Sequence, residues 1–208
     1  MAEMVQKARA KQPGLIVVDR AVPGVHQNYL TPEQHIPEEG LPYPWETCMT
    51  MAGSWSYTPN DQYKPTNELI EKLVDIVSKG GNFLLNIGPG PDGTLAPDAY
   101  DRMKGIGDWI KVNGEAIYGT RTHTSFNDGD NVRYTRSKDN KTLYVFLFNF
   151  PKEDVVLTKA MLSKNAKISM LGCGKNLKWK TTGQGVSISL PAEMEASEKH
   201  VWVLKISQ

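Results

Sequence analysis

Cysteine is scarce in this chain: two residues, Cys48 and Cys173, among 208. Two cysteines so far apart cannot staple a small disulfide scaffold, and they fit no CxxC metal pattern. Neither sign of charge dominates, with 24 Lys and Arg against 23 Asp and Glu. A net charge of +1 gives no global reason to expect binding to nucleic acid or to an anionic membrane. No stretch approaches the ~20 apolar residues that a membrane span needs. The opening residues, MAEMVQKARAKQP, contain no apolar h-region, so no signal peptide is visible there. Histidines 26, 35, 123 and 200 show neither HxxxH nor HxH spacing, and no metal site is expected. There is no GxSxG, no internal repeat and no low-complexity tract. What is present is an ordinary globular balance of 39% hydrophobic and 23% charged residues. The length allows one or two domains at ~100–200 residues each.

The chain has two textures. Residues 1–114 alternate helical patterns with short apolar runs and Pro-rich loops, 115–120 read as a linker, and 121–208 show period-2 strands and turns. In the first zone a short helix over 2–11, with Met4, Val5 and Ala8 on one face, ends at Pro13-Gly14. Leu15-Ile16-Val17-Val18 follows without alternation, which predicts a strand buried on both faces, as in a parallel sheet. Residues 21–48 form a long loop with Pro23, Pro32, Pro37, Pro42 and Pro44, its aromatics arguing against disorder. A helix over 67–79 has a broad apolar face, Thr66 or Asn67 as its cap, and Gly80-Gly81 as its stop. Phe83-Leu84-Leu85-Asn86-Ile87 predicts a second buried strand. Pro97 opens a last helix to about 112, with Tyr100, Met103, Ile106 and Ile110 on its inner stripe. Strand–loop–helix repetition is βα grammar, which puts chemistry at the carboxyl ends of the strands. In the second zone, 132–136 and 143–148 flank a polar hairpin loop. Further strands at 167–171, 178–180, 186–190 and 201–206 predict a small antiparallel β-sandwich.

The residues able to carry chemistry gather between 20 and 57. Arg20 ends an apolar run, Glu33 and Glu46 lie on an aromatic-rich loop, and Trp55 and Tyr57 close the segment. Aromatic faces pack on C–H-rich sugar faces, and low polarity raises a carboxyl toward general-acid duty. Loop glutamates are more often simply exposed or paired with a basic residue. The Gly88–Gly93 turn has neither GxGxxG nor P-loop spacing, so a tight βα turn is favoured over a phosphate cradle. Asn140-Lys141-Thr142 is a glycosylation sequon in a hairpin turn, of consequence only on a eukaryotic secretory route.

Several strings, in order and spacing, resemble family-29 α-L-fucosidases. They are Val17-Val18-Asp19-Arg20, Tyr29-Leu30-Thr31-Pro32-Glu33, Trp45-Glu46-Thr47-Cys48 and Gly53-Ser54-Trp55-Ser56-Tyr57. Gly80-Gly81-Asn82-Phe83-Leu84-Leu85-Asn86-Ile87-Gly88-Pro89 and Asn113-Gly114-Glu115-Ala116-Ile117-Tyr118 continue the match. The resemblance implies the C-terminal part of a (β/α)8-type barrel followed by a small antiparallel β-sandwich, α/β plus all-β. A whole barrel takes ~250 residues, so only its last βα units fit here. It also implies a retaining exo-glycosidase that removes terminal α-L-fucose from glycans through a covalent sugar intermediate, with the two carboxyl groups ~5–5.5 Å apart.

On this resemblance Glu33 is the preferred general acid/base and Glu46 its rival, the latter expected to orient Arg20 or a backbone group. Arg20 matches a position that contacts the fucose or the nucleophile, and Trp55 one that packs on the C5-methyl side. The family nucleophile sits in a Trp-x-Asp motif that this chain lacks. The expectation is therefore a fucosidase piece with the acid/base but without the nucleophile, inactive alone. The missing N-terminal barrel half, periplasmic or secreted in such a parent, would complete it. The implied partner is a fucosylated oligosaccharide or glycoconjugate, with no nucleic acid, no membrane span, no metal and no cofactor. The alternatives are a non-catalytic carbohydrate-binding or accessory chain derived from a fucosidase, and a non-functional remnant.

Overall fold

A computed structural model describes residues 2–20 and 24–208; Pro23, placed above in the first loop, lies outside them. Helix α1 (Ala2–Lys11) buries Val5 alone, while Met4 turns to solvent, so the expected three-residue face is narrower than its spacing implied. The run at 15–18 is extended but is not a strand buried on both faces. It makes one parallel bridge, Val18 to Tyr29, and Ile16 is 66% exposed. Apolar residues become buried only where a neighbour exists, and here the described residues place one on a single side.

The sheet continues through a segment that the prolines disguised as loop. Bridges Leu30–Trp45 and Glu33–Cys48 align residues 29–33 in parallel with strand β1 (Glu46–Thr50). The Leu30 amide donates to the Pro44 carbonyl at 2.9 Å, and the Cys48 amide donates to the Pro32 carbonyl at 3.3 Å. Proline can accept in such a ladder although it cannot donate. β1 pairs in parallel with β2 (Asn82–Asn86), Glu46 opposite Asn82 and Thr50 opposite Asn86. β2 is also not buried on both faces: Leu85 and Ile87 pack under the helices, whereas Leu84 is 50% exposed.

Helix α2 (Thr66–Ser78) buries Leu69, Ile70, Val74 and Ile76. Its cap is neither Thr66 nor Asn67; extended Pro65 holds that position with no side-chain hydrogen bond. Thr66 is already in the first turn, where its methyl meets Gly105. The helix stops at Gly80, whose φ is +84°. The next residue, Gly81, is needed for space, since a Cβ there would lie 2.4 Å from the Trp45 indole. Helix α3 (Pro97–Asn113) starts on its proline and buries Ala99, Trp109 and Asn113. Met103, Ile106 and Ile110 flank that stripe, but Tyr100, expected on it, is 55% exposed.

The remainder holds β3 (Thr120–Asn127), β4 (Val132–Ser137), β5 (Thr142–Leu147), β6 (Val155–Leu157), β7 (Lys167–Met170), β8 (Lys178–Thr182), β9 (Gly185–Ser189) and β10 (Trp202–Ser207). They form a five-stranded sheet, β3-β4-β5-β10-β7, facing a three-stranded one, β6-β9-β8. β3 and β6, which carry no expected signal, are edge strands, one Thr-rich and one three residues long. Leu143, Val145 and Leu204 face Leu157, Val186 and Ile188 between the sheets. Alternate residues Tyr144, Phe146, Val201 and Val203 turn the other way, onto Ile70, Val74 and Trp109 of the helices. The five-stranded sheet is thus a middle layer, covered on both faces. This packing braces α2 and α3, which carry β1 and β2 on their other side. No helix among the described residues is long and apolar enough to cross a membrane.

Candidate active site

The groove follows from period-2 alternation in β1 and β2. Thr47 and Met49 are buried on one face of β1, leaving Glu46 and Cys48 on the other. Leu84 and Asn86 of β2 share that open face, and the Glu33–Cys48 bridge brings Glu33 level with Cys48. Arg20 and Thr31 arrive from the adjoining segments, and Trp55 forms a wall. Together these residues line an open groove of about 760 Å³, a size suited to a small ligand. Arg20, Glu33, Glu46 and Trp55, singled out from sequence, therefore converge on one cavity.

Arg20 is the hub. Its guanidinium pairs with Glu33 Oε2 through Nη1. Nε donates to Thr31 Oγ1 at 3.1 Å, and Nη2 donates to Cys48 Sγ at 3.0 Å. The hydrogen bond to Glu33 does most to raise the Arg20 pKa; desolvation opposes it, and the nearby charges of Glu33, Cys48 and Asp19 add to the rise. Asp19, one residue away, does not line the groove: its Oδ1 accepts the Thr31 amide at 3.0 Å and the Thr31 hydroxyl at 2.6 Å.

The expectation that Glu46 orients Arg20 is corrected, because Glu33, Thr31 and Cys48 hold that guanidinium. Among the described residues the Glu46 side chain has no hydrogen-bond or ion-pair partner. Glu46 opens β1, whereas Glu33 stands beside Cys48, two residues or ~6.6 Å nearer the carboxyl end. Glu33, expected on a loop, sits instead in backbone bridged to Cys48.

The Trp55 wall is fixed from behind. Asp61 accepts the Gly53 amide at 3.2 Å and the Ser54 amide at 3.0 Å. Gly88 has no side chain because a Cβ would lie 2.5 Å from the Tyr57 amide nitrogen. Lys64 Nζ donates to the carbonyls of Thr50 at 2.6 Å and Ala52 at 3.0 Å, holding the turn after β1. Burial lowers its pKa. The 88–93 segment is a turn: the Gly90 amide donates to Thr94 O at 2.7 Å and the Gly93 amide to Gly90 O at 2.9 Å. Those donors are already used and cannot cradle a phosphate.

Sequence reasoning missed Thr31, Cys48 and Asn86 as site residues. Cys48 was reachable by counting two from Glu46 along a strand, had β1 been recognised. Among the described residues Asn86 Oδ1 is buried with no hydrogen-bond partner, a property visible only after folding. Among the described residues no cluster of His, Cys, Asp and Glu could hold a metal ion.

Residues 1–115 match the model of the α-L-fucosidase family, and 127–207 match its α-L-fucosidase C-terminal domain. Human plasma α-L-fucosidase is 37% identical over 173 residues, covering 78% of this chain and 37% of that protein. Mouse tissue α-L-fucosidase is 33% identical over 192 residues, covering 88% of this chain and 42% of that protein. The Thermotoga maritima α-fucosidase structure with a mechanism-based inhibitor superimposes with a TM-score of 0.81 at 28% identity, covering 97% of this chain and 47% of that one. This chain thus spans less than half the length of these relatives. On the family match over more than half of its residues, a partial barrel joined to a β-sandwich, the chain belongs to the family-29 α-L-fucosidases.

Proposed function

We propose that this chain carries the acid/base side of a retaining α-L-fucosidase site. The observation that carries the reading is the convergence of Arg20, Glu33 and Trp55 on one groove at the carboxyl ends of parallel strands. Glu33 protonates the glycosidic oxygen as the aglycone leaves, then removes a proton from the attacking water. Trp55 packs on the apolar side of the sugar. Arg20 contacts the sugar or the attacking carboxylate. A general acid presents its own proton to the leaving oxygen, whereas here Glu33 accepts from Arg20. Turnover therefore requires Arg20 to exchange Glu33 for another anion, the role of the nucleophile carboxylate. Glu33 and Glu46 are the only carboxylates lining the groove among the described residues. Neither matches the Trp-x-Asp motif, so the nucleophile comes from outside this sequence.

The purified chain is expected to release no p-nitrophenol from p-nitrophenyl α-L-fucoside. Fused behind the amino-terminal barrel half of a related fucosidase, it gains turnover that falls ~10²–10⁴-fold with Glu33→Ala. Azide restores that loss, while Glu46→Ala gives no azide response. Release by the isolated chain that Glu33→Gln abolishes, or azide rescue of Glu46→Ala alone, overturns the assignment. The alternative, a non-catalytic carbohydrate-binding chain, rests on the exposed Trp55 of the groove and the exposed Tyr57 two residues on. It requires fucose binding with no turnover in either form.

A further inference from the structure

We infer that Asp19 and Thr31 are positioning residues that aim the Arg20 guanidinium into the groove. The inference rests on the proposed role of Glu33 only for its catalytic consequence; the geometry stands apart from it. The direction of each hydrogen bond follows from the donor inventory. An ionised carboxylate only accepts, so the 2.6 Å contact between Thr31 Oγ1 and Asp19 Oδ1 uses the Thr31 proton. The Thr31 oxygen then has its lone pairs free, and Arg20 Nε, which only donates, points at it from 3.1 Å. The sequence Asp19, Thr31, Arg20 is therefore polarised one way, and the hydroxyl cannot reverse without losing both contacts.

The same carboxylate oxygen accepts the Thr31 amide at 3.0 Å. That bond matters because residues 15–20 and 29–33 share a single backbone bridge, Val18 to Tyr29. Asp19 thus supplies in its side chain the registration a longer ladder would give. With Nε held by Thr31, the planar guanidinium can turn only about one axis. Its two outer nitrogens then fall on Glu33 and on Cys48 Sγ, 3.0 Å from Nη2. Asp19 and Arg20 are neighbours in the turn that follows Val18, and both side chains reach Thr31, Asp19 as acceptor and Arg20 as donor.

The test uses the chain labelled with ¹⁵N-arginine, the Arg20 Nε–H resonance being identified by its loss in Arg20→Lys. Exchange of that proton with water is expected to be slow in the wild type. Thr31→Val is expected to speed it by about tenfold, the scale of one lost hydrogen bond. Thr31→Ser, which keeps the hydroxyl, retains slow exchange. Asp19→Asn speeds it, because an amide can donate to the threonine and release its orientation. Unchanged exchange in both Thr31→Val and Asp19→Asn, or equal acceleration in Thr31→Ser, overturns the inference. If Thr31→Val fails to fold, the Thr31→Ser and Asp19→Asn pair decides it alone. The fused barrel gives the separate arm: Thr31→Val is expected to lower kcat and shift the pH profile, with Thr31→Ser near wild type. Accelerated exchange with an unmoved profile keeps the positioning relay and counts against Glu33 as the acid/base.

Discussion

At the residue scale, chemistry-bearing side chains were more legible than their partners. Arg20, Glu33, Glu46 and Trp55 are all unusual residues in aromatic or apolar company, and all four line the groove. The contacts that orient them were not legible, because hydrogen-bond partners 11 to 28 positions apart are set by strand register. Trp55 offers the simplest test. It is 39% exposed and borders the groove, so its free face is available to a ligand. Trp55→Ala is expected to weaken fucose binding by on the order of 1–3 kcal/mol, the worth of one buried apolar face. Calorimetric titration would read this, and unchanged affinity would remove Trp55 from the sugar site.

At the scale of elements, α2 and α3 were readable from 3.6-residue periodicity and glycine or proline punctuation, whereas β1 was hidden by its short, polar ETCMT sequence. The tie between α2 and β4 was unreadable for the same reason as the site contacts. Asp75 accepts Arg133 Nε at 2.5 Å and Lys79 Nζ at 2.8 Å, and all three side chains are mostly buried. Lys79 also donates to the Pro37 carbonyl at 2.9 Å. Asp75→Ala leaves two buried cations without their anion and is expected to cost ~3–5 kcal/mol, read from urea unfolding. A loss under ~1 kcal/mol would mean that water replaces the carboxylate. A second tie joins the two sheets. Desolvation pushes the Asp128 carboxyl up, but hydrogen bonds from the Thr158 hydroxyl and amide, the Lys159 amide and Tyr134 outweigh it, leaving the pKa lowered. A lowered folded pKa gives stability that is present above the usual carboxylate value of ~3.9 and is lost as pH falls through the folded value. Asp128→Asn is expected to flatten the acid limb of the stability–pH curve; an unaltered limb would refute the tie.

At the scale of the whole molecule, the two textures share a core. Ile70, Val74 and Trp109 pack against Phe146, Val201 and Val203, and Trp109 Nε1 donates to the Val201 carbonyl at 2.8 Å. Cutting after residue 114 would expose that helical face while the groove side already leaves Leu84 and Ile16 uncovered. Residues 1–114 alone are therefore expected to show no cooperative thermal transition, whereas the whole chain unfolds with one. Scanning calorimetry decides this, and a sharp melt of the isolated segment would show that the strands need no sandwich behind the helices.

Strongly periodic elements, the turn chemistry at 80–81 and 88–93, the family and the short list of groove residues were all readable before folding. These are local properties, written in spacing and residue type. Which apolar runs are buried, that a proline-rich stretch joins the sheet, and that Thr31 and Cys48 rather than Glu46 hold Arg20 emerged from the packed chain. Those outcomes depend on which segments become neighbours, and a one-residue change of register would send each side chain to the opposite face.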